Sequence, residues 1–106
     1  GDGELNGTAL ETTAEVTLRI EVQKGRAAQW PRLENATHIM AAGSTRDLMD
    51  CVRLAQMELL RWLVDEYGFQ REEAWQVNGQ VGTMRIGNVV DPMYTVVAKF
   101  PKSCLP

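Results

Sequence analysis

Two carboxylates stand one residue apart at the start of the chain, in Gly1, Asp2, Gly3 and Glu4. Glycine lets a backbone approach another group closely and take positive φ. Acids carried on such a turn can move a proton to or from water, or orient a metal ligand. Asp2 and Glu4 are therefore the candidate catalytic residues. The competing reading is a frayed, solvated terminus with no chemistry at all. Glu11 lies further along the same run, seven residues past Glu4. His38 is the single histidine, and no nearby His or Cys could complete a metal site with it. It reads as a structural residue, with proton transfer as the alternative. Cys51 and Cys104 lack a CxxC or zinc-knuckle spacing and read as reduced thiols, which suits a cytoplasmic protein.

These residues need elements to hold them. Residues 10–22 alternate, with Leu10, Thr12, Ala14, Val16, Leu18, Ile20 and Val22 on one side. Glu11, Thr13, Glu15, Thr17, Arg19 and Glu21 take the other. Period two with β-branched residues predicts a long strand with one apolar face and one solvated face. Gly25 marks a turn at residues 23–26. Pro31 favours extended backbone around residues 30–33. A second strand is expected over residues 37–42.

Apolar residues at three- and four-residue steps, among them Leu48, Val52, Ala55, Leu59 and Leu63, predict an amphipathic helix over residues 44–67. Ser44 is its expected N-cap and Gly68 its stop. A short helix should follow over residues 70–77, broken at Asn78 and Gly79. Strands are expected at residues 84–90, bent at Gly87, and at residues 94–100. The order of elements predicts a mixed α/β fold, α+β-like, with a sheet of about four strands, one long helix and one short one. No regular βαβ alternation supports a doubly wound sheet. The long first strand is expected to pair with something outside this chain, as part of a larger β-rich fold.

The 106 residues suit a single domain spanning 1–106. A net charge of −3 argues against nucleic acid, whose binders carry clustered basic residues. No apolar run approaches the roughly 20 residues that cross a bilayer. The chain opens on polar and acidic residues rather than a secretory leader, and a cytoplasmic location is expected. It does not begin with methionine, which suggests a processed chain, a cleaved one or a fragment.

A set of short stretches, in order along nearly the whole chain, then narrows the reading. They are Gly1 to Glu4, Gly7 to Thr12, Glu15 to Leu18, Pro31 to Glu34, Thr37 with His38, Leu48 to Asp50 and Trp62 to Val64. After these come Tyr67 with Gly68, Arg71 to Ala74, Arg85 with Ile86, Val89 to Asp91 and Pro101 to Ser103. In these the chain resembles the C-terminal part of the acetamidase/formamidase family. The resemblance implies a metal-associated hydrolase, with zinc the expected ion, acting on short amides such as formamide and acetamide. The products are ammonia and the carboxylate.

The resemblance also implies that an Asp and His pair upstream of Gly1 supplies metal ligands, so most ligands lie outside this chain. Asn6 stands where relatives often carry cysteine. The expected partners are a small amide, the N-terminal portion of the same enzyme or a partner chain, and further copies in a homo-oligomer. Glu4 is the expected proton-transferring carboxylate and Asp2 a group that orients or binds the metal. The alternative function is a non-catalytic assembly piece that completes the sheet of a partner, since an unpaired strand edge invites pairing.

Overall fold

The computed structural model describes residues 2–106; Gly1 lies outside them. Six elements of regular backbone build the fold, with a closing 3₁₀ turn at Lys102–Cys104. They are β1 (Arg32–Glu34), β2 (His38–Thr45), α1 (Leu48–Tyr67), α2 (Arg71–Val81), β3 (Thr83–Asn88) and β4 (Tyr94–Pro101). The four strands form one antiparallel sheet in the order β1-β2-β4-β3. Both helices lie between β2 and β3 in sequence, and α1 packs across the two central strands. The mixed α/β class and the strand number agree with the sequence reading.

The membership of the sheet does not. Residues 10–22, expected as the longest strand, carry no strand pairing and are exposed throughout. Leu10, Val16, Leu18, Ile20 and Val22 are 69–101% exposed. Alternation sets which side chains share a side, but a strand exists only when a neighbour accepts its backbone hydrogen bonds. The two edge strands, β1 and β3, each pair on one side only, and neither pairs with this stretch. The fourth strand is instead β1, where extended backbone was expected around Pro31. Ala42 donates its N–H to the Pro31 carbonyl at 2.9 Å.

Alternation works as expected in the two central strands. Ile39, Ala41 and Gly43 of β2, with Val96, Ala98 and Phe100 of β4, turn toward the helices and are buried. They meet Ala55, Leu59, Trp62 and Leu63 of α1 and Ala74 of α2. Phe69 and Phe100 meet edge to face, centroids 6.0 Å apart. A Cβ on Gly43 would lie 2.5 Å from the Cys51 carbonyl oxygen and 2.8 Å from the Ala55 nitrogen. Glycine is what lets α1 lie so close to β2. Cys51 is a buried free thiol whose Sγ contacts the Thr45 and Tyr94 carbonyls at 3.4 and 3.2 Å.

Helix ends differ from expectation at two places. Asp47, not Ser44, caps α1, accepting the Asp50 N–H at 3.1 Å. Ser44 stays in β2, where its hydroxyl accepts from Thr95 across the sheet at 3.1 Å. The short helix runs through Asn78 and Gly79 to Val81. Asn78 is buried and donates its side-chain amide to Gln56 of α1 at 2.5 Å, so tertiary contact outweighs the local breaking signal. The stop falls at Gly82, where a Cβ would sit 2.4 Å from the Asn78 carbonyl oxygen. Gly68 closes α1 at φ 74°, Gly25 turns at φ 76°, and β3 bulges between Ile86 and Asn88, all where the sequence placed them.

Candidate functional site

The sequence-predicted acids lie on a tight turn seated against β3 and its exit. Gly3 takes φ 87° and is buried, and its carbonyl accepts the Val89 N–H at 2.9 Å. A Cβ there would come within 3.0 Å of Leu5 and 3.6 Å of Ile86. The glycine thus allows both the backbone angle and the close approach. Asp2 forms an ion pair with Arg85 of β3, an attachment that adds to the Gly3 hydrogen bond. Residues 2–4 are therefore positioned by β3 rather than trailing in water.

Glu4 follows with φ 39°, the single non-glycine residue at positive φ among those described. Such backbone costs a side-chain-bearing residue about 1–3 kcal/mol and tends to occur where function holds it. Glu4 is exposed, and none of the ion pairs among the described residues includes it. The turn therefore carries one acid tied to an arginine and one acid left available. Glu11 lies in the exposed run and belongs to no strand or helix. His38 accompanies neither; its Nδ1 lies 2.8 Å from the Thr37 hydroxyl at the start of β2.

A metal ion needs three or four convergent ligands. Among the described residues no group of three or more His, Cys, Asp or Glu side chains is placed to hold one. Asp2 is taken by Arg85, which leaves Glu4 alone. The described residues do not by themselves fit a metal centre.

A second charged cluster, on α1, was not anticipated. Glu58 is fully buried, and its Oε1 accepts from Arg32 Nε at 2.7 Å. Arg32 also donates to Glu66 Oε1 at 2.7 Å and stacks on Trp62, 5.2 Å from the ring centroid. Arg26 reaches the other oxygen of Glu66, and Arg61 Nη1 lies 3.6 Å from Glu58 Oε2. Glu58, Trp62 and Glu66 recur every fourth residue, so they form one stripe on the helix. Beside them is an open cavity of about 360 Å³, lined in part by Gln23, Arg26, Arg32, Trp62 and Glu66. The readable signal was Glu58 itself, an acid in phase with the apolar positions Cys51, Ala55 and Trp62. Arg32 gave none, because its partners lie 26 and 34 residues away. Ion pairing, cation–π stacking and burial fit this cluster to joining β1 to α1.

No protein-family model matches the chain, and no curated protein matches it. Solved structures do. Over 78% of this chain, an acetamidase from Yersinia enterocolitica is 44% identical, with a TM-score of 0.76. An acetamidase from Bacillus halodurans shares the fold over 74% of the chain, with a TM-score of 0.68 at 23% identity. The chain spans only 25% and 27% of the length of these two proteins. In those two proteins the matched sheet and helices are one part of a larger architecture, and the chain belongs to the acetamidase/formamidase family.

Proposed function

We propose that this chain is part of an amidase that hydrolyses short-chain amides of the formamide and acetamide type. The observation that carries the reading is the 44% identity to an acetamidase over 78% of the chain. Water adds to the amide carbonyl carbon, the C–N bond breaks, and ammonia and the carboxylate leave. Such a reaction needs a base for the attacking water and an acid for the departing nitrogen. Glu4 is the group we assign to that proton transfer, since its carboxylate is free on a turn anchored through Asp2 and Gly3. Asp2 holds the turn through Arg85 in this chain, and would orient a metal ligand supplied by the remainder of the enzyme. A divalent ion, zinc in this reading, would take most of its ligands from outside the chain and would polarise the carbonyl and activate the water. The free thiols of Cys51 and Cys104 are compatible with the cytoplasm. No helix among the described residues is long and apolar enough to cross a membrane.

In the assembled enzyme, Glu4→Gln is expected to lower turnover of acetamide by at least ~10²-fold, with the fold retained. Ammonia release measured at saturating amide checks this, with circular dichroism to confirm folding. Turnover within a factor of about three of the parent would remove Glu4 from the chemistry. A second reading, a non-catalytic assembly piece, is favoured by the exposure of residues 10–22. Amide turnover that is equally fast with and without this chain, in a preparation of the remainder, would establish it.

A further inference from the structure

Residues 10–22 are the largest feature the fold leaves unused. They contribute no strand or helix, and no backbone hydrogen bond outside such elements involves them. Yet they are held at both ends. Residues 2 and 3 are fastened to β3 and its exit, while Arg26 and Gln29 bond to Glu66 and Arg61 of α1. Arg19 and Glu21, two residues apart, form an ion pair of 2.6 Å, which sets both side chains on one side as in an extended strand. Leu18, Ile20 and Val22, on the other side, are 75–87% exposed.

The accessible surface totals 7959 Å², against roughly 6,000 Å² for a folded monomer of this mass. The excess, on the order of 2,000 Å², is more than the roughly 800 Å² that each partner contributes to a standard stable interface.

We propose that residues 10–22 form a β-strand added to the edge of a sheet in the three quarters of an acetamidase-like enzyme that this chain does not match. This rests on the family reading above but not on Glu4 or on any amide chemistry. A second copy of this chain is the poorer occupant. Two such segments would make a two-stranded ribbon, which is marginal in water and still leaves the row of Leu, Ile and Val uncovered. A sheet with an apolar layer beneath it pairs the backbone and covers that row together. The polar side, with Glu11, Glu15 and Glu21 against Arg19 alone, favours a neighbouring strand bearing Lys or Arg. Docking there would bring Glu4, at the foot of the segment, to the junction of the two parts.

The test is hydrogen exchange read by mass spectrometry. The 106-residue chain is co-expressed with the Yersinia acetamidase polypeptide lacking the quarter it matches. Amides 10–22 should exchange within seconds in the chain alone and at least ~100-fold more slowly in the complex. Ile20→Lys on the apolar side should abolish both complex and protection, while Thr17→Lys on the other side should retain them. Should the shortened acetamidase fail to fold, the chimera with this chain in place of the matched quarter carries the same two variants and readout. Fast exchange of 10–22 in complex or chimera would overturn the proposal. So would an Ile20→Lys variant that behaves as the parent, or protection in the chain alone accompanied by a doubled mass. Protection without amide turnover would support the strand while sinking the amidase reading; turnover without protection would do the reverse.

Discussion

Arg32 and Glu58 set the energetics of this chain at the level of single residues. Glu58 is fully buried and Arg32 is partly buried, its side chain 16% exposed. Arg32 is the nearest cation to Glu58, with Arg61 further off at 3.6 Å, and removing one partner of a buried pair typically costs about 3–5 kcal/mol, because a charge is left poorly compensated in the interior. Arg32→Met should therefore lower the unfolding free energy by about 3 kcal/mol, read from the midpoint of a urea titration. Adding Glu58→Gln to that variant should recover part of the loss, because the uncompensated charge is gone. A double variant no more stable than Arg32→Met would show that packing against Trp62, rather than charge pairing, is what Arg32 contributes.

At the level of elements, the contact between α1 and β2 depends on one hydrogen atom. Gly43 has no room for a methyl group, since the nearest atoms belong to the backbone of α1 rather than to a side chain that could move. Gly43→Ala should force the helix away from the sheet and cost about 1–3 kcal/mol, with the loss visible as a lower melting temperature. Asp47→Ala removes the side-chain cap of α1 and should cost about 1 kcal/mol in the same assay, whereas Ser44→Ala should not behave as a cap deletion. The difference separates the observed helix start from the expected one.

At the level of the whole molecule, the chain is a packed layer of helices on a sheet with a tethered, uncovered run beside it. The radius of gyration is 15.2 Å, against about 13 Å for a compact chain of this length. In isolation that run should be the first point of proteolysis. Trypsin should cut at Arg19 and Lys24 at least on the order of tenfold faster than at Arg53 or Arg61 in α1, because local opening costs little where few contacts are made. Peptide mapping over a time course checks this, and equal rates would show that the run is protected in the free chain.

Sequence alone determined whatever depends on local spacing. The long amphipathic helix and its glycine stop, the turn at Gly25, the bulge beside Gly87 and the alternating strand at residues 94–100 all rest on short-range steric and periodic rules. The acids at Asp2 and Glu4 were legible too, as residue types on a glycine turn. Only the tertiary structure decided which extended run joined the sheet, because a strand is defined by the neighbour that completes its hydrogen bonds. The alternation of residues 10–22 is stronger than that of residues 32–34, yet the shorter run pairs with β2 and the longer one pairs with neither edge of the sheet. The same reason hid Arg32 and Glu58: an ion pair between residues 26 positions apart has no signature until the backbone brings them together.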